Sequence, residues 1–237
     1  MDIQTQNLAV VIGSSGGLGA ALLAQLEGDA SFARAIGLSR SSEVSLDYLD
    51  ESSIAKAAQS VASLCDSSNV RLRLLIVATG FLHGDAGQPE RSFTNLNAAY
   101  LQQVFAINTL GPALVVKHFL PLLPKQGRCV AGFVSAKVGS IGDNALGGWY
   151  GYRASKAALN QLVKTASIEL TRRNKQSICV ALHPGTVATA LSQPFAKTGL
   201  NVRPADEAAA DLLRVLDGLQ AADTGCLVDY RGQKLPF

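Results

Sequence analysis

Apolar runs of strand length alternate with helix-length segments along the whole chain, and this alternation restricts the fold more than any other feature. Residues 8–12, 34–39, 72–79, 128–135, 177–183 and 225–230 read as strands, with 44–46 as a further short one. Between them, residues 20–27, 51–65, 96–123, 150–173 and 204–219 read as helices. Runs this rich in Val, Ile and Leu are buried on both faces, as in a parallel sheet covered by helices. The expected class is therefore α/β: a doubly wound sheet of about seven mostly parallel strands, with helices on both faces. Only residues 40–43 separate the second and third strands. That is too short for a crossover helix, so the helix after strand two is expected to be abbreviated.

At 237 residues and 48% hydrophobic, without linker or repeat, the chain suits one domain over 1–237. A net charge of +3, with no basic stripe, gives no footing for nucleic acid. The cysteines (Cys65, Cys129, Cys179, Cys226) stand apart from one another, without metal or redox spacing, and no metal is expected. No segment reads as a run of ~18 to 20 apolar residues, so no membrane partner is expected. Met1 to Gln6 are polar with no basic region, so a cytoplasmic location is expected rather than secretion.

Gly13-Ser14-Ser15-Gly16-Gly17-Leu18-Gly19 follows the first strand and opens the first helix. Glycines there permit a tight turn and let the backbone approach a pyrophosphate, while free N–H groups at the helix start favour an anion. Strand two ends in Ser39-Arg40-Ser41-Ser42, with no acid before Glu43. An arginine at that place suits the 2′-phosphate of NADP, where a carboxylate would suit the ribose of NAD. NADP(H) is therefore favoured over NAD(H). Further along, Tyr152 and Lys156 lie one turn apart on one helical face. A nearby ammonium favours the ionised form of a phenol, which would bring Tyr152 towards acid–base use near neutral pH. Tyr150 competes for this role but has no lysine four residues on.

Gly13-x3-Gly17-Leu18-Gly19, Asn108, Ser135, Tyr152-x3-Lys156 and His183-Pro184-Gly185-Thr186-Val187-x-Thr189 stand in an order and at intervals that resemble the classical short-chain dehydrogenases/reductases. Residues 135–141, 147–150, 191–195 and 229–237 resemble the C-factor-like branch of that family. The resemblance covers essentially the whole chain and implies a Rossmann-type domain. It also implies hydride transfer between NADP(H) and a small carbonyl or alcohol substrate. In that scheme Tyr152 is the general acid and Lys156 lowers its pKa and holds the nicotinamide ribose. Ser135 hydrogen-bonds the substrate oxygen, and Asn108 orders a proton relay beside Lys156. The implied cofactor contacts are Gly13, Ser15, Gly17, Leu18, Gly19, Ser39, Arg40, Ala78, Gly80, Asn108, Tyr152, Lys156, Pro184 and Gly185. Asp47 is implied at the adenine, and Val187 and Thr189 at the carboxamide.

Two departures stand out. Val77-Ala78-Thr79-Gly80 replaces the family's usual Asn-Asn-Ala-Gly, and the interval from Ser135 to Tyr152 is longer than usual. The additional residues, 142–151 with Trp149 and Tyr150, are expected to line or lid the substrate site together with 191–203. Ser140 remains an alternative to Ser135. His83, His118 and His183 read as structural. The family's habit of pairing the helices at 96–123 and 152–173 across subunits implies a homodimer or homotetramer. The C-factor-like branch also leaves open a dinucleotide-binding signalling or regulatory protein whose catalysis is incidental.

Overall fold

The computed structural model describes residues 6–85, 87–195 and 202–237. β1 (Gln6–Ile12) runs parallel to β2 (Arg34–Leu38) on one side and to β3 (Val70–Val77) on the other. β4 (Cys129–Val134) and β5 (Ser177–His183) continue the sheet beyond β3. A separate two-stranded ribbon follows, made by β6 (Thr186–Val187) and β7 (Val202–Arg203). β8 (Leu227–Asp229) then joins β5 in parallel, and β9 (Lys234–Leu235) closes the edge antiparallel to β8. The seven-stranded order is β2-β1-β3-β4-β5-β8-β9.

β1 shows why these strands read as unbroken apolar runs. Leu8, Val10 and Ile12 face a core shared with α2 (Glu51–Ser67), α4 (Gly111–Phe119) and α5 (Tyr150–Arg173). Ala9 and Val11 face a second core shared with α1 (Gly17–Glu27) and α6 (Ala205–Gly218). Burying each such aliphatic side chain is worth roughly 1.5–3 kcal/mol, so both faces of the sheet contribute. The doubly wound class is as expected, and the C-terminal ends of β1, β3, β4 and β5 all open on the same rim.

Three local expectations need correction. Residues 44–46 form no strand: they belong to a loop from β2 to α2 held by its own serines. Leu46 N–H donates to Ser39 O (2.9 Å), Ser39 N–H to Ser42 Oγ (2.9 Å) and Ser42 Oγ to Val44 O (2.8 Å). The loop is seated by Tyr48, whose ring lies where a Cβ on Gly111 would be, 2.0 Å from its Cδ2. Tyr48 Oη also accepts a hydrogen bond from Thr79 Oγ1 at 3.0 Å. With no strand at 44–46, the connection from β2 to β3 carries α2, a full helix of 17 residues, so the expected abbreviated helix after strand two is not found.

The helix expected over 96–123 is broken into pieces. α3 (Ala98–Phe105), capped by Asn97, runs into a π-helical turn at Ala106–Leu110 before α4 continues. One extra residue in a turn leaves the apolar periodicity nearly intact, so the pattern could not show it. Ala98–Leu122 is long and apolar enough to cross a bilayer by length and composition, although Gln102, Gln103, Asn108 and Lys117 interrupt its apolar run. In the fold this stretch spends Tyr100, Val104, Val115 and Phe119 on the buried interior, as a helix covering a sheet does.

Candidate active site

The glycine turn leaves β1 at Gly13, whose φ of +89° is in the left-handed region. Its N–H donates to Leu38 O (2.8 Å), and Ala78 N–H donates to Ile12 O (2.8 Å), which ties the turn to β2 and β3. A Cβ on Gly19 would lie 2.1 Å from Gly13 O, so α1 rests directly on the turn. α1 starts from Gly16 with neither a side-chain cap nor an acid in its first turn. Its first-turn N–H groups thus point at the rim without a carboxylate competing for them. Across the rim, a Cβ on Gly17 would lie 3.1 Å from Thr189 Cγ2, which brings the turn against the segment after β5.

α5 carries Tyr152 and Lys156 into the same place, both buried. Lys156 Nζ donates to Val134 O (3.0 Å) and lies 5.9 Å from the centroid of the Tyr152 ring. Burial pushes the Tyr152 phenol up to about 12 and the Lys156 ammonium down to about 8. The expected lowering of Tyr152 by Lys156 is therefore not found. Desolvation of the phenolate dominates, while the ammonium is turned towards a backbone carbonyl. Tyr152 is a fully protonated donor at neutral pH, and Lys156 titrates near it.

Ser135 ends β4 as expected and is buried, but its Oγ donates to Asn160 Oδ1 at 2.7 Å. A serine hydroxyl has one proton, so in this arrangement Ser135 can accept a hydrogen bond but has none to give to a substrate oxygen. Ser140 is buried and accepts from Asp143 N–H (3.1 Å), holding the next loop rather than facing the cavity. Asn108 lies inside the π-turn and clamps Phe81 from both sides. It accepts from Phe81 N–H and donates to Phe81 O, each at 2.8 Å, and also donates to Ser155 Oγ (3.1 Å). A Cβ on Gly80 would be 3.8 Å from Lys156 Nζ and 3.9 Å from Asn108 Oδ1, so Asn108 shapes the floor beside the lysine.

These groups line one cavity of about 330 Å³. Gly17 and Leu18 of the turn, Ala78 and Gly80 after β3, Ser135, Tyr152, Lys156 and Pro184, Gly185, Val187 and Thr189 all face it. Gly13, Ser15, Gly19, Ser39, Arg40, Asp47 and Asn108 do not. Gly13, Gly19 and Asn108 act as supports. Arg40 is exposed at the end of β2, and Ser39 is buried in the serine-rich loop. Asp47 Oδ1 accepts from Leu49 N–H (3.0 Å), a local turn rather than a free carboxylate.

Several lining or supporting groups were not among the site residues expected from the sequence. His183, read from the sequence as structural, lines the cavity with Nδ1 buried and without a hydrogen-bond partner among the described residues, and burial lowers its pKa to about 4. Ser192 Oγ bonds Val187 O and Thr189 O (3.2 Å to the latter), bracing the segment after β5. Arg153 binds Gly148 O through Nε (3.0 Å) and Val138 O through Nη1 (3.3 Å), fastening the loop before α5. That loop ends in Gly147, Gly148 and Trp149, all left-handed, and Trp149 stands edge-on to Tyr152 (centroids 6.0 Å, 79°). Of the second expected lining segment, residues 196–201 lie outside the described residues.

Among curated proteins, the chain is 36% identical to C-signal of Myxococcus xanthus over 143 residues, 60% of this chain and 82% of that protein. It is 29% identical to an uncharacterised oxidoreductase of Schizosaccharomyces pombe over 98% of this chain and 99% of the relative. Among solved structures, an NADPH-bound carbonyl reductase from chicken fatty liver superposes with a TM-score of 0.82 at 25% identity, covering 98% and 99% of the two chains. The carbonyl reductase Sniffer of D. melanogaster superposes with a TM-score of 0.83 at 22% identity, over 98% and 99%. The short chain dehydrogenase model matches residues 7–200, from β1 through β5 and past the Pro184–Gly185 segment, and the chain belongs to that family of oxidoreductases.

Proposed function

We propose that the protein is an NADP(H)-dependent carbonyl reductase, reversibly an alcohol dehydrogenase, for a small organic substrate. The observation that carries this reading is the single cavity in which the α1 turn, the Tyr152–Lys156 pair and the segment 184–189 meet. The fit to a dinucleotide rests on the side-chain-free approach at Gly17 and Gly19 and on the uncapped α1 start. Arg40, exposed beyond the turn, supports the phosphorylated cofactor, as do structural neighbours solved with NADPH or NADP.

When bound, the reduced nicotinamide supplies a hydride to the carbonyl carbon. Tyr152 holds its proton at neutral pH and gives it to the carbonyl oxygen, so that a ketone becomes an alcohol. Lys156, titrating near 8 beside the ring, is the group that returns a proton to the resulting phenolate. Asn108 keeps Phe81 and Gly80 clear of the lysine. Ser135, its proton engaged with Asn160, offers the cavity a hydrogen-bond acceptor rather than a donor. NADPH absorbance followed across ketones, aldehydes and quinones tests the reading. Tyr152→Phe is expected to lower kcat by roughly 10³-fold or more, and Ser135→Ala by only about tenfold. Equal losses would return Ser135 to the role of principal oxyanion donor.

A second reading, a signalling protein with incidental catalysis, rests on the match to C-signal. Tyr152→Phe separates the two: a variant that binds NADPH and keeps full biological function would favour signalling. Association into a homodimer or homotetramer is supported by apolar side chains left at the surface of the α3–α4 and α5 layer, such as Leu110 and Ile168. Light scattering of the purified protein measures it.

A further inference from the structure

We propose that Glu90 is a positioning residue of the active site: its buried carboxylate and main-chain oxygen hold the left-handed Trp149 and the first turn of α5, and so set the Trp149–Tyr152 pair that faces the substrate. The proposal rests on the reductase reading for its catalytic half only.

α5 is the element that delivers Tyr152 and Lys156, yet its own sequence does not cap it. Trp149 occupies the N-cap with φ +53° and ψ +43°, offers no side-chain oxygen, and no acid stands in the first turn. A left-handed tryptophan is an unfavourable backbone state and persists only where neighbours over-determine it. Glu90, 61 residues upstream of Gly151, supplies both missing restraints. Its main-chain O accepts from Trp149 N–H at 2.5 Å, and its carboxylate accepts from Gly151 N–H at 3.1 and 3.3 Å. Gly151 N–H is one of the orphan donors of the first helical turn, where the positive end of the helix dipole favours an anion.

The placement is costly, which is the second reason to read it as more than surface chance. Glu90 is 3% exposed, and among the described residues the Gly151 N–H is the hydrogen-bond donor to its carboxylate, with no cation in an ion pair. Burying a carboxylate costs free energy unless such contacts compensate it. Gly151 makes the approach possible: a Cβ there would lie 3.1 Å from Glu90 Oε1 and 2.8 Å from Leu101 Cδ2. What the clamp fixes is chemical. Trp149 lines the cavity and stands edge-on to the Tyr152 ring, so a slack corner would misplace both the wall and the acid.

The chain has a single tryptophan, so intrinsic emission excited at the indole band reports on this corner alone. Wild type, Glu90→Gln and Glu90→Ala are compared by Trp149 emission and acrylamide quenching. NADPH dissociation constants and turnover of 9,10-phenanthrenequinone as probe are then measured per folded protein. In Glu90→Ala a red-shifted emission and about twofold stronger quenching are expected, with kcat down about tenfold and the NADPH constant unchanged within about twofold. Glu90→Gln, which keeps one acceptor but not the charge, is expected between the two. Unchanged emission and quenching, or unchanged kcat with a lowered melting temperature alone, would overturn the proposal. If Glu90→Ala does not fold, Glu90→Gln decides by the same readouts. If wild type reduces neither the probe nor any other carbonyl compound, the reductase reading fails, and the fluorescence comparison still decides whether Glu90 holds the corner.

Discussion

Tyr152 and Lys156 sit one helical turn apart, but what each can do is set by what surrounds it rather than by the spacing. The same four-residue interval on a wet helix would leave both groups charged or neutral as in water. Here burial holds the proton on the phenol and loosens it on the ammonium. Arg40 is the opposite case, an exposed residue proposed here to pair with the cofactor's 2′-phosphate. Replacing it by aspartate swaps a phosphate-pairing fork for a group that repels a 2′-phosphate and can accept from a ribose hydroxyl. Arg40→Asp is expected to weaken NADPH binding by about 10- to 100-fold and to leave NADH unchanged or tighter. Dissociation constants for the two cofactors measure it, and an unchanged NADPH/NADH ratio would remove Arg40 from the cofactor site. Residue identity and local spacing made Tyr152 and Lys156, a buried pair in the cavity, legible in the sequence, whereas Arg40 lies outside its lining and enters only as the proposed phosphate partner. Ser135 was legible in place but not in role, since its proton is taken by Asn160, 25 residues on. Glu90 was illegible, as its meaning depends on a backbone N–H far along the chain.

At the scale of elements, the strands and α1, α2, α5 and α6 stand close to where the apolar pattern puts them, because burial on both faces of a parallel sheet leaves a continuous signal. The pattern fails where packing replaces pairing. Residues 44–46 are apolar enough for a strand, but the segment is anchored by the ring of Tyr48 on the bare backbone of Gly111. That contact can be tested directly. Alanine for glycine within a helix ordinarily gains up to about 1 kcal/mol. At Gly111 the new methyl would lie 2.0 Å from Tyr48 Cδ2 and 2.2 Å from Cγ, both in a ring that cannot flex away. The ring must leave its seat and its hydrogen bond from Thr79, so the clash outweighs propensity, and Gly111→Ala is expected to destabilise by about 2 kcal/mol net. In a Tyr48→Ala background the same substitution is expected to be neutral or stabilising. A denaturant double-mutant cycle giving no coupling between the two positions would show that this contact does not seat the loop.

For the molecule as a whole, the buried titratable groups around the cavity make stability a function of pH, and the signs differ from group to group. His183 has its pKa lowered from 6.5 to about 4, mainly by burial, with Asp229 opposing and Lys137 reinforcing the shift. Between those values the unfolded chain binds the proton that the folded chain refuses, so stability rises with pH across the window and is lost as pH falls through it. The shift corresponds to about 2–3 kcal/mol lost between pH 7 and pH 4.5. Asp211 and Asp223, whose pKa values are lowered by their cationic partners, add losses of the same sign as they protonate at lower pH. On the alkaline side, Lys156 releases its proton in the folded state near 8 and in the unfolded state near 10.5, so stability rises again across that interval. Tyr152, shifted up to about 12, reverses the trend above 10, where the unfolded phenol ionises first. The cofactor-free protein is therefore expected to be most stable on the alkaline side, towards about pH 10, and to weaken steeply below about pH 6.5. His183→Asn removes a titrating group while keeping a polar side chain, and its stability should fall by about 2–3 kcal/mol less than wild type between pH 7 and 4.5. Urea unfolding at a series of pH values measures both slopes. Parallel curves for the two proteins would mean that His183 is as free to protonate in the fold as in the unfolded chain, and that the cavity wall around it is open to water.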